Sequence, residues 1–189
     1  MNTSFSKLLV IAGMCALLLP VALLAAEMGQ MPGGMGQMQG GMGQMAGQGM
    51  GMMQKTDGMA LMMHINKTDP YVKWDLMPGT TRMRQGTEPH GALQNVYVNK
   101  LALKAIKDKA GALPDGAIIV KENYMPGGKL GAVTVMSKRK GYNPEAGDYL
   151  WLRYGPDMNI QVEGKAAPCI TCHAKAKNND YVMLAPLKK

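Results

Sequence analysis

The chain has 189 residues, 47% hydrophobic and 5% aromatic, and a formal net charge of +8. That length suits one modest domain with extra segments and excludes two full domains. The basic residues, Lys100, Lys107, Arg139, Lys175 and Lys189 among them, are scattered rather than interleaved with aromatics. This argues against a nucleic-acid surface and leaves a solvated surface or a basic rim for an acidic redox partner.

Residues 1–26 read as a secretory signal peptide, with Lys7, an apolar run LLVIAGMCALLLPVALL, and the small residues Ala25 and Ala26. Cleavage is expected after Ala26, although Leu24 stands where a small residue is usual; an uncleaved anchor helix is the alternative. Export places the rest of the chain in the periplasm. Cys15 lies inside the apolar run behind Met14, not behind the small residue that a lipid-anchored cysteine wants, so it leaves with the signal. Residues 27–57 read as a flexible tether. Within 28–54 there are nine Met, ten Gly and six Gln, and MGQM recurs at 28–31, 35–38 and 42–45. Gly at this density destroys helix propensity, and nothing there can build a core. Thioether sulfur suits Cu(I), so copper capture is the alternative to a plain spacer.

The folded domain is expected over residues 58–189. A polar, turn-rich lead-in, DPYVKWDLMPGTTRMRQGTEPHG, opens it. NVYVN (95–99) is a short β-like run, and Lys100 to Lys109 has helical composition. PDG at 114–116 turns the chain, AIIVKENYM (117–125) reads as a strand, and Gly127 and Gly128 turn it again. AVTVMSKRKGY (132–142) and YLWLRY (149–154) are the next strands, with NPEAGD between them. The residues after Pro168 read as a short helix. The prediction is a mainly β (α+β) fold: an antiparallel sheet with short hairpins and a few short helices.

With Cys15 gone, two cysteines remain, Cys169 and Cys172, too close together for a disulfide to constrain the unfolded chain much. CITCH at 169–173 is the c-type haem attachment pattern. Two thiols at this spacing reach the two vinyl groups of one porphyrin, and the next residue, His173, ligates the iron. A redox dithiol would want a thioredoxin-like βαβ unit before it, and a zinc site would want a second pair of ligands, for which only His64 and His90 are on offer. One motif predicts one covalently bound haem c, attached near the C-terminus. The sixth iron position decides what such a haem does. Met or His there makes an electron carrier; a vacant position admits small molecules. The candidates are His64, His90, Met125, Met136, Met158 and Met183. Each also has a plainer reading: Met136 as core, His64 as solvated, His90 as a turn residue.

Three runs in order, PDGAIIVKENY (114–124), VTVMSKRKGYNPEAGDYLWLRY (133–154) and CITCHAKAKNNDYV (169–182), resemble the cytochrome P-460 family, which includes the cytochromes c′-beta. The resemblance spans about Trp74 to Leu184. It implies an antiparallel β fold, a homodimer, and a five-coordinate haem with His173 proximal. It implies hydroxylamine oxidation, with nitric oxide as product or co-substrate, in members whose strand lysine is cross-linked to the porphyrin edge; Lys121 matches that lysine. In c′-beta relatives it implies binding of nitric oxide or carbon monoxide without the cross-link. Gln94 stands near the place of a distal arginine in the family's enzymes.

Read from the residues alone, strand alternation puts Ala117, Ile119, Lys121, Asn123 and Met125 on one face and Glu122 on the other. A desolvated lysine is more often neutral and nucleophilic; the alternative is an edge-strand lysine that keeps the sheet soluble. An oxidoreductase, a gas-binding protein and an electron carrier all remain open.

Overall fold

Between Leu93 and Gly164 apolar runs alternate with glycine-bearing turns, and the chain there folds mainly as an antiparallel meander. The computed structural model describes residues 56–189. The expected signal segment, and all of the expected tether except Thr56 and Asp57, lie outside them.

The elements in chain order are α1 (Asp57–Met63), a π-helical turn (His64–Thr68), β1 (Asp75–Leu76), β2 (Arg84–Gln85), β3 (Leu93–Val98), α2 (Lys100–Asp108), β4 (Ile118–Tyr124), β5 (Leu130–Lys138), β6 (Tyr149–Tyr154), β7 (Ile160–Gly164) and α3 (Ala167–His173). Short 3-10 turns at Tyr71–Lys73, Pro144–Ala146 and Ala174–Asn179 join them. The sheet has seven strands in the order β1-β3-β4-β5-β6-β7, with β2 also pairing with β3. Every pairing is antiparallel. β4 lies between β3 and β5, so Lys121 is not an edge-strand lysine.

Both faces of the sheet are covered, which is why AIIV and YLWL read as near-continuous apolar runs. Ile118, Val120, Val133, Val135, Leu150 and Leu152 face a core closed by Leu61, Met62 and Ile65 from α1 and its π-helical turn. Ile119, Met136 and Trp151 face a second core closed by Ala102 and Ile106 of α2 and by Val182 and Leu187. Each such buried aliphatic side chain contributes about 1.5–3 kcal/mol.

Caps set the helix ends. Asn99 Oδ1 accepts from the Ala102 amide at 3.0 Å and starts α2, which Lys109 ends in the left-handed conformation at φ 55. Thr56 Oγ1 accepts from the Met59 amide at 3.2 Å and starts α1. The helix thus takes in Asp57, which the sequence placed in the tether.

Glu122 faces away from Lys121, as alternation demands, and is buried. Its carboxyl accepts from Tyr71 Oη at 3.1 Å, Asn95 Nδ2 at 2.7 Å, Tyr97 Oη at 3.3 Å and Tyr124 Oη at 2.9 Å. At the C-terminal end Asp180 accepts from Lys138 Nζ at 2.6 Å, the Leu113 amide at 2.7 Å and Tyr149 Oη at 2.9 Å. That triple anchor fixes the backbone next to Tyr181. Among the described residues no helix is long and apolar enough to cross a membrane.

Candidate haem-binding site

One cavity brings together Lys121, Cys169, Cys172 and His173. α3 supplies three of them. Pro168 sits in its first turn, where a missing amide costs nothing, and Cys169 and Cys172 follow one helical turn apart, on the same side. His173 is buried, and its Nδ1 lies 2.9 Å from the Tyr181 carbonyl oxygen. That bond directs the proton to Nδ1 and leaves Nε2 free to ligate, the arrangement metal-bound histidines commonly show. Burial lowers the His173 pKa, the Tyr181 bond opposes this, and the Lys121 charge adds to the lowering. Trp151 packs against the imidazole, ring centres 4.6 Å apart.

The sheet forms the opposite wall, and strand register arranges its residues in rows. Ile119, Met136 and Trp151 make one row, Lys121, Thr134 and Arg153 the next, and Gln94, Asn123 and Ala132 the third. Successive rows on one face lie about 7 Å apart. Burial, and next the like charge of Arg84, pull the Lys121 ammonium down to about 8, against the opposing Cys172 thiolate. In a thioether Cys172 carries no charge, so that opposition vanishes once a haem is attached.

Of the candidate sixth ligands, His90 and Met136 line the cavity. Met136 stands in the row beside Trp151, on the His173 side. His64 is exposed, as are Met125 and Met183, and Met158 packs against the core on the other face of the sheet. Met125 was expected on the Lys121 face, but the register shifts between Asn123 and Tyr124 and β4 ends there.

His90 arrives on a tight loop. Its amide donates to Thr87 O at 2.9 Å, and a Cβ on Gly91, at φ +76, would meet Tyr124 O at 2.6 Å. Only glycine fits there. Burial first, then the charges of Lys121 and His173, hold His90 at about 4, with the neighbouring Asn123 amide opposing.

Gln94 does not line the cavity; it is 1% exposed. Its Oε1 accepts from Arg84 Nη1 at 2.9 Å and its Nε2 donates to His90 O at 3.1 Å. Gln94 therefore ties the His90 loop rather than facing a ligand, and the guanidinium near this corner comes from Arg84 on β2, its register partner. Sequence reading put Asn123 on the Lys121 face without giving it a role, and passed over Arg84, Trp151 and Arg153. Alternation from Lys121 signals Asn123, but the others need the pairing register.

The wall chemistry fits a haem. Ile119, Ala132, Met136 and Val162 give apolar contact for a flat macrocycle. Two residues of this cavity also carry buried polar atoms without a partner, Trp151 Nε1 and Asn123 Oδ1. Orphaned buried groups of this kind cost about 1–3 kcal/mol each, and a ligand with a polar edge can satisfy them. The dithiol alternative fits poorly. α3 follows a strand, but the sheet is antiparallel, so there is no βαβ unit. Burial also raises the Cys169 thiol, whereas reactive dithiols are lowered. Among the described residues no three His, Cys, Asp or Glu side chains converge to hold a metal ion directly.

Comparison with curated proteins gave no match. The family model for Cytochrome P460 matches residues 68–184. That span contains all seven strands, the whole cavity wall and the CITCH helix, and it covers more than half of the chain. The chain belongs to the cytochrome P460 family of haem-binding cytochromes.

Proposed function

We propose that this protein is a periplasmic c-type cytochrome whose single haem, held by thioethers to Cys169 and Cys172 and ligated by His173, oxidises or binds hydroxylamine and nitric oxide. The observation that carries the reading is the convergence of Lys121 with Cys169, Cys172 and His173 on one cavity. A haem supplies a redox-active iron and a conduit for electrons. The chain's own residues do the rest. Tyr181 O orients His173. Lys121, pulled toward neutrality, offers a nucleophilic amine to the macrocycle edge. Asn123 and His90 supply polar groups on the far side of the Lys121 row.

Oxidising hydroxylamine to nitric oxide releases three electrons and three protons, so turnover needs a soluble redox partner. The basic surface suits an acidic one. The working form is taken to be a homodimer.

The test is intact mass together with turnover. Bonding Lys121 Nζ to the macrocycle edge, in place of a C–H, removes two hydrogens through a two-electron oxidant such as hydrogen peroxide. The holoprotein should weigh two hydrogens less than chain plus haem, and it should reduce an artificial acceptor when hydroxylamine is added. A protein of unreduced mass that binds nitric oxide without turnover is the gas-binding form. One that does neither is an electron carrier.

A further inference from the structure

Among the described residues, His90 is the one imidazole besides His173 that lines the cavity. The two ring centres lie 6.2 Å apart with planes at 86°. Imidazoles that hold one metal from opposite sides, each through a nitrogen at about 2 Å, place their ring centres about 6 Å apart. A small molecule between iron and His90 would need about 2 Å more. The register supports the same placement. His173 packs on Trp151 of the first row, and His90 neighbours Asn123 of the third. The gap between the rings is level with the middle row, which carries Lys121.

The loop is built to hold the ring there. The His90 amide and carbonyl are both tied, to Thr87 O and Gln94 Nε2. Gln94 is held in turn by Arg84, and the adjacent Ala92 amide donates to Tyr124 O at 2.8 Å. Asn123 Nδ2 donates to Lys121 O, Ala132 O and Thr134 Oγ1, all at 3.2 Å, which leaves the unpartnered Oδ1 as the group open to the neighbouring His90. An N–H of His90 donated to that oxygen would turn the other nitrogen toward the iron, as Tyr181 O does for His173.

We propose that His90 occupies the sixth position of the haem iron in the resting protein, and that small nitrogen ligands enter by displacing it. This rests on the reading of His173 as the proximal ligand. It replaces the five-coordinate resting haem that the family resemblance implies with a closed one. Asn123 is a positioning residue, and Lys121 stays free for the macrocycle edge.

The test is electron paramagnetic resonance and absorption of the full-length holoprotein against His90→Ala, Asn123→Ala and Lys121→Ala. Wild-type ferric protein should be low-spin, as should Lys121→Ala. His90→Ala should be high-spin and return to low spin when free imidazole is added, a rescue that a misfolded variant would not show. Asn123→Ala should be a mixture of both. The ferrous His90→Ala protein should bind carbon monoxide about tenfold or more tighter than wild type, because the competent state is no longer masked. A high-spin wild type overturns the inference and leaves the proposed function intact, as does low spin lost in Lys121→Ala but kept in His90→Ala. A low-spin wild type that His90→Ala opens, but that ignores nitric oxide, overturns displacement and makes His90 the fixed ligand of an electron carrier. A holoprotein with no Soret band overturns both readings.

Discussion

Glu122→Ala removes a carboxyl that accepts hydrogen bonds from Tyr71, Asn95, Tyr97 and Tyr124. Three of those donors belong to buried residues, Tyr71, Asn95 and Tyr97; Tyr124 is half-buried and can turn to water. Each buried donor left without a partner costs about 1–3 kcal/mol, which sets a range of about 3–9 kcal/mol. Water can enter the space left and accept from the freed donors, so the lower part of the range, about 3–5 kcal/mol, is expected. In a domain of this size that lowers the melting temperature by about 10–20 °C.

Glu122→Gln is the discriminating variant. Oε2 accepts three of the bonds and Oε1 one, from Tyr71. A glutamine oxygen at the Oε2 place keeps three, and the Tyr71 hydroxyl can turn to accept from the new amide. The cost should be about 1 kcal/mol. Lys121→Ala, one residue away on the opposite face, should change the melting temperature little and the haem spectrum visibly. The assay is thermal unfolding of the holoprotein followed by circular dichroism. Equal losses for Glu122→Ala and Glu122→Gln, or a haem spectrum altered by either, would refute the two-sided account of β4.

Four further outcomes are expected. In a Lys121→Ala background, replacing Cys169 and Cys172 together with Ala should let acid acetone extract the haem, whereas either single replacement should retain it on a denaturing gel. Cross-linking of Lys121, followed by intact mass under a fixed peroxide pulse, should speed up as pH rises toward about 8, because raising pH converts its ammonium to the nucleophilic amine and the thioether at Cys172 no longer opposes that loss. Asp180→Ala should cost about 2–4 kcal/mol in urea unfolding, since it removes the acceptor of the Leu113 amide and the Tyr149 hydroxyl and the ion-pair partner of the half-buried Lys138, and it should broaden the low-spin resonance by freeing the carbonyl that orients His173. Leu150→Ala, at a fully buried position, should cost about 2–5 kcal/mol in the same unfolding assay and leave ligand binding unchanged.

The strongest local signals were legible in the sequence. YLWLRY is strand β6 from end to end, because a run of three aromatics and two leucines between two turn segments leaves little choice. The helix after Asn99 was legible from composition and ends on Lys109, the residue expected to close it. Helix α1 was not, because it follows directly on the Met- and Gly-rich run and its own methionines read as more of the same. Strand β7 is short and half-exposed, with Gln161 and Glu163 outward, so its alternation is weak.

The site divides the same way. CITCH and the facing of Lys121 follow from local spacing. The roles of Gln94, Arg84 and His90 depend on which strands pair and on how a loop returns to the sheet, and those are long-range facts that no local pattern carries. Gln94 was placed near a distal position by the family resemblance alone. It is buried under Arg84 instead.

On the proposed function, small nitrogen compounds reach the haem iron opposite His173. Titrating nitric oxide anaerobically into the reduced, full-length holoprotein and following the Soret band tests it most directly. Saturation at one nitric oxide per chain is expected, with isosbestic conversion to a nitrosyl spectrum. A reduced spectrum that stays unchanged at excess nitric oxide would contradict it.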